Sequence, residues 1–158
     1  MQALGNNPAV QLDAELHAAN ALLELLKHEQ ARLVEADVDG VAALTEEKTR
    51  LVSRLTELAL QRHQRLGQAG FEAGERGMRD WLQSDAAPAD ARRAWNDLIQ
   101  AASQSKDLNR TNGLMIGQQL ARTQGTLDVL TGAQPTGTMY GPNGQAAPRA
   151  QNRGFVVG

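Results

Sequence analysis

Leu12, Leu16, Ala19, Leu23, Leu26, Gln30 and Leu33 recur at alternating steps of four and three residues. That spacing is a heptad seam with one polar member, Gln30, and it predicts a long amphipathic helix over about residues 8–37. Leu22 and Leu25 flank the seam and widen it toward a bundle face, and Pro8 suits a first helical turn. At ~1.5 Å per residue such a helix is about 45 Å long, and it needs a partner of similar length to bury its stripe. Asp37-Val38-Asp39-Gly40 interrupts the pattern with turn-forming residues. Val41, Leu44, Lys48, Leu51, Leu55, Leu58, Arg62 and Leu66 resume it and predict a second helix over about 41–67. So short a connection makes the two helices antiparallel neighbours. Lys48 and Arg62 fall on seam positions, where their stems are expected to cover apolar surface while their heads reach water.

Gly67, Gly70, Gly74 and Gly77 then end the helix. A short helical piece follows over about 76–83, a loop through Ser84 to Pro88, and a last long helix over about 89–130. The seam of this helix reads Trp95, Ile99 and Ala102, then Lys106, Asn109 and Gly113, then Ile116, Leu120, Thr123, Leu127 and Leu130. Its middle is polar where core residues are expected. Gly113, Gly117 and Gly125 weaken its second half by roughly 1 kcal/mol each relative to Ala, so a bend near Asn112-Gly113 is expected. From 133 to 158 five Gly and three Pro occur with no Asp or Glu, and no period survives. This stretch reads as a flexible tail after a helical bundle over 1–132.

Composition supports an all-α chain. Aromatics are 3% of 158 residues, too few for a typical β-sandwich, whereas Leu, Ala, Gln, Arg and Glu abound. There is no cysteine, which excludes disulfide staples, thiolate zinc sites and thiol nucleophiles. The net charge is -2 and the pI about 5.9, so the electrostatic footprint of a nucleic-acid binder is missing. No apolar run approaches the ~18 residues of a membrane span. Met1 to Pro8 has neither a basic nor an apolar run, so no signal peptide is expected. A cytoplasmic location, with no stable membrane insertion, follows as an expectation.

The usual reactive constellations are missing. His17, His28 and His63 are preceded three residues earlier by Ala14, Leu25 and Leu60, not by the Glu of a di-iron motif, and no pair has helical zinc spacing. Glu24, Glu29, Glu35, Glu46 and Glu47 read as a solvated helix face, with Glu24–His28 and Glu46–Arg50 at ion-pair spacing. No phosphate loop or nucleophile elbow is present. Neither cofactor nor metal is expected. Phe71, Trp81 and Trp95 are expected to wedge the short helix against the start of the last one. Tyr140 sits on no periodic face, within Met139-Tyr140-Gly141-Pro142-Asn143-Gly144, and is a candidate short docking motif.

Leu-Leu-Lys-His-Glu-Gln-Ala-Arg-Leu (25–33), Leu-Thr-Glu-Glu-Lys-Thr-Arg-Leu-Val (44–52), Arg62 and Leu66, Asn109-Arg-Thr-Asn-Gly-Leu-Met-Ile116 and Tyr140-Gly-Pro-Asn-Gly144 follow one another in this order. In that order they resemble the FlgN-type flagellar export chaperones. The resemblance implies long antiparallel helices in a left-handed coiled-coil-like bundle, and no enzyme activity. It implies binding of the hook–filament junction proteins FlgK and FlgL through the C-terminal region, and delivery to the flagellar type III export apparatus, including the export gate protein FlhA. An adaptable amphipathic stretch here offers Leu114, Met115, Ile116, Leu120, Leu127 and Leu130 as client-binding residues. Tyr140, Gly141 and Pro142 are the candidates for docking to the export apparatus. The rival reading is a helical adaptor that dimerises through its hairpin and has no secretion client.

Overall fold

The computed structural model describes residues 6–132, and these are all-α: α1 Leu12–Val34, α2 Val38–Gln68, α3 Glu75–Leu82 and α4 Ala89–Leu130. The expected tail, 133–158, lies outside the described residues. The chain divides into two compact units, Met1–Met115 and Ile116–Gly158.

α1 begins four residues later than the pattern predicts. Pro8 is fully buried in a turn that precedes the helix, and the Asn7 side chain accepts from the backbone N–H of Ala9 at 2.8 Å. The helix ends at Val34. Ala36 takes a left-handed φ of 56°, its N–H reaches Leu33 O, and the N–H of Asp37 reaches Arg32 O at 2.9 Å. These two bonds form a Schellman stop, normally built on glycine because a Cβ is crowded in that conformation.

The predicted break at 37–40 is shorter than expected, because Asp37 caps α2. Its Oδ1 accepts from the N–H of Gly40 at 2.9 Å, so the helix opens at Val38 and takes Asp39 and Gly40 into its first turn. A Cβ on Gly40 would collide with the Asp37 carboxylate, so this cap requires glycine. α2 ends where the glycines predict, with Gly70 at φ 87° and the Phe71 N–H returning to Leu66 O at 2.8 Å.

α3 closes the open end of the hairpin. Met78, Trp81 and Leu82 are buried in one cluster with Leu12, Leu66, Ala91, Trp95 and Leu98, and Phe71 packs against it. Gly77 lets α3 approach its own incoming loop, since a Cβ there would strike the Glu72 carbonyl. Arg92 of α4 donates to Leu82 O at 2.9 Å, satisfying a carbonyl at the end of α3. α4 is helical without a break through Gly113, Gly117 and Gly125. Its buried positions in the first unit are Ala91, Trp95, Leu98, Ala101, Ser105 and Asn112, whereas Ala102, Lys106, Asn109 and Gly113 are exposed. Trp95 is buried as the pattern predicts, and after it the seam lies one residue earlier than the apolar pattern indicates.

The α1–α2 turn makes a direct test. Ala36→Gly is expected to raise stability by about 0.5–1 kcal/mol, because relief of the left-handed strain exceeds the added chain entropy. Asp37→Ala is expected to cost about 1 kcal/mol through loss of the cap. Urea unfolding of both variants measures these differences, and equal midpoints for the two would contradict the turn described.

Candidate functional site

The face that α1 turns inward carries two carboxylates, Glu15 and Glu29, 3% and 4% exposed. A buried carboxylate is stable only when paired and hydrogen-bonded. α2 supplies the partners from its seam. Arg62 Nε donates to both oxygens of Glu15 at 3.1 Å, and Lys48 Nζ to both oxygens of Glu29 at 3.2 Å. The Arg62 head is itself buried, so the expectation that it reaches water is corrected; Lys48 remains partly exposed. Gln11 accepts from Arg65 at 2.9 Å and extends the same register toward the α3 end.

Each pair also meets α4. The Arg62 guanidinium lies 4.7 Å from the centre of the Trp95 ring, a cation–π contact. Asn112, fully buried, donates from Nδ2 to Leu26 O at 3.0 Å and to Glu29 Oε1 at 2.9 Å. The opposite amide orientation would set its oxygen against the Glu29 carboxylate, which the chemistry forbids. Trp95 near Glu15 and Asn112 near Glu29 place this part of α4 parallel to α1. Burial raises the Glu15 carboxyl above its usual range, and the positive charges of Arg62 and Arg65 pull against that rise. His63 is lowered by burial and by the neighbouring Arg62 charge. Exposed pairs behave as ordinary surface pairs. Glu46 bonds Arg50 at 2.8 Å as its spacing predicts, while Glu24 pairs with Lys27, not His28, at 2.9 Å.

Between the two tie points α1, α2 and α4 leave an apolar groove of about 380 Å³. Ala19, Leu22 and Leu26 form its floor, Val52, Leu55 and Ala59 one wall, and Leu98, Ile99 and Ala102 the other. Among the described residues no group of His, Asp and Glu is arranged to hold a metal ion, and no helix is long and apolar enough to cross a membrane.

The client-binding candidates fall in both units. In the first, Leu114 is 61% exposed and Met115 half-buried. In the second, Ile116 is half-buried, Leu120 is 66% exposed, Leu127 49% and Leu130 76%. At 3.6 residues per turn, Ile116, Leu120, Leu127 and Leu130 share one helix face, whereas Leu114, two residues before Ile116, faces away from it. Tyr140, Gly141 and Pro142 lie outside the described residues. Apolar periodicity overlooks Glu15, Glu29 and Asn112. A readable signal does exist: fourteen residues separate Glu15 from Glu29, and fourteen separate Lys48 from Arg62.

These features define an all-helical protein whose notable surfaces are apolar helix faces and a groove between helices. A family model described as FlgN protein matches residues 1–148, and the chain belongs to that family. It is similar to the flagella synthesis protein FlgN of Proteus mirabilis, 28% identical over 137 residues, covering 85% of this chain and 86% of that one. It is also 30% identical over 138 residues to the flagella synthesis protein FlgN of Salmonella typhimurium, covering 86% of this chain and 87% of that one. No solved structure matches it significantly.

Arg62→Met leaves the Glu15 carboxylate buried without its counter-charge and is expected to cost about 3 kcal/mol at neutral pH. The Glu15 carboxyl already binds its proton more tightly than usual, and loss of Arg62 raises it further. A raised folded-state value means the native state takes up the proton first, so stability falls as pH rises through that value. The penalty of Arg62→Met relative to the parent is therefore smaller at pH 5 than at pH 7. Urea unfolding at both values measures it, and an equal penalty would remove Glu15 as its cause.

Proposed function

We propose that this protein acts in building the flagellum, as a cytoplasmic export chaperone for hook–filament junction proteins. Membership of the FlgN family and the names of its relatives support the flagellar role. The observation that carries the chaperone reading is the apolar face of Ile116, Leu120, Leu127 and Leu130, half-buried at Ile116 and exposed at the three leucines. A client awaiting export has an amphipathic segment that would otherwise self-associate, and a helix with such a stripe covers it through i, i+4 and i+7 anchors. Gly117 and Gly125 have open space around their Cα positions, which leaves room for close approach along this helix. Leu114 and Met115 are further candidates, Leu114 for a client that wraps around the helix.

FlgK and FlgL are the clients in this reading, and their delivery goes to the type III export apparatus and its gate protein FlhA. Tyr140, Gly141 and Pro142 are assigned to that docking step. The chain acts by binding, with no catalytic step.

The double variant Ile116→Asp/Leu120→Asp tests the client surface. Each substitution forfeits about 1.5–3 kcal/mol of apolar burial in a complex, so co-elution with FlgK or FlgL on size exclusion is expected to disappear. Circular dichroism is expected to stay close to that of the parent, because Leu120 is exposed and Ile116 half-buried. A variant that still co-elutes with both clients would overturn the assignment.

A further inference from the structure

We infer that the face of Ile116, Leu120, Leu127 and Leu130 takes a client helix whose apolar stripe is flanked by amide and hydroxyl side chains, and that it holds this helix without ion pairs. The inference rests on the client-capture reading above and adds the chemistry of the segment captured.

At ~100° per residue, Ile116, Leu120, Thr123, Leu127 and Leu130 all lie within about 40° of one line along the helix. Their alternating steps of four and three are those of a coiled-coil seam, so the occupant that fits is another helix. Positions beside such a seam usually carry the charges that choose a partner. Here Gln119 and Thr126 flank one side, and Gln124 and Thr131 the other. From 116 to 132 only Arg122 and Asp128 are charged, one of each sign, and each lies about 120° from the seam on opposite sides of it. An arc of about 200° centred on the apolar line therefore carries no charge.

The polar groups in this arc are already provided for. The hydroxyls of Thr123 and Thr126 donate to the carbonyls of Gln119 and Arg122 at 3.0 Å, and that of Thr131 to Leu127 O at 2.9 Å. Gln124 Nε2 donates to Asp128 Oδ1 at 3.1 Å. These donors keep their partners when another helix covers them. A Lys or Glu brought alongside loses hydration and meets no counter-charge. Amide and hydroxyl flanks lose less, and they bond to the oxygens of the threonines and of Gln124. A face without charge also lacks the means to reject a partner by sign, and salt has nothing on it to screen.

The full-length protein is titrated with FlgK and with FlgL at about 50 and about 500 mM NaCl, where affinity is expected to stay within about threefold and a larger loss would overturn the inference. Three peptides of about two heptads, with Leu at a and d and with Gln, Glu or Lys at e and g, probe the flanks. These three residues have similar helix propensity, so differences in binding report the flank. The Gln peptide is expected to bind tightest, with the Glu and Lys peptides within about twofold of each other. A charged peptide that equals or exceeds the Gln peptide would overturn the inference. Thr126→Lys, at an exposed flank position, is expected to favour the Glu over the Lys peptide by up to about fivefold. An unchanged ranking would place the peptides elsewhere on the chain and would also overturn it. Loss of both clients at low salt, with the Gln peptide still bound, would remove the client-capture reading and leave the flank preference standing. Clients retained with the peptide ranking reversed would remove the flank preference alone. A dimer of the chain abolished by Ile116→Asp/Leu120→Asp would give the face to a second copy.

Discussion

Two buried carboxylates on α1 set the terms for the first unit. Glu15 and Glu29 each lose their hydration on folding, and each is tolerable only with a cation within hydrogen-bond reach. The equal spacing of Glu15 and Glu29 on α1 and of Lys48 and Arg62 on α2 satisfies both pairs in a single antiparallel register. A slip of one helical turn would bury two unpaired charges at once. Leucine stripes alone define register weakly, because one leucine replaces another at modest cost. The ion pairs add little net stability over an apolar core of the same shape, but they make the alternatives expensive. Asp37 and the Ala36 turn then join the helices at a length that fits this register.

The same charges recruit α4. Arg62 offers its flat face to Trp95, and the oxygen of Glu29 that accepts from Lys48 also accepts from Asn112. A polar residue at such a seam position trades stability for definition of alignment. Trp95 is further supported by α3, which seals the lower end with Met78, Trp81 and Leu82. The first unit is therefore packed firmly at the α3 end and pinned by polar groups at the Asn112 end. Between these ends the groove keeps apolar walls, because Ala19, Ala59 and Ala102 are too small to fill it.

The second unit has a different character. Its described residues form helix, yet Leu120, Leu127, Val129 and Leu130 are all exposed. An isolated helix of that length is marginal in water, and Gly117 and Gly125 weaken it further. Thr123 and Thr126 turn their hydroxyls back to the carbonyls of Gln119 and Arg122, a local bond that adds no tertiary contact. A row of exposed apolar side chains is unusual unless a partner covers it, which is why client capture is proposed for this stretch.

Much of the architecture is legible in the amino-acid order, because helix formation and amphipathicity are local. Leucine spacing, the Asp37–Gly40 break, the glycines from 67 to 77 and Pro88 determine an all-α chain with a long hairpin, a short helix and a long last helix. The α2 seam is correct to the residue, because one clean stripe runs from Val41 to Leu66. On α1 the predicted seam is buried at Leu12, Ala19, Leu23, Leu26 and Leu33, but which polar positions join it, and the inward face of α4 after Trp95, were decided only by tertiary structure. Periodicity favours Leu16, Gln30, Ala102 and Lys106, yet the fold buries Glu15, Glu29, Ala101 and Ser105. Hydrophobic pattern scores a residue by its own polarity, whereas burial of a charge depends on a partner forty-seven residues away in the case of Glu15 and Arg62. The exposed stripe from Ile116 to Leu130 was readable as apolar, but exposure is a property of what packs against it, and only the fold supplies that.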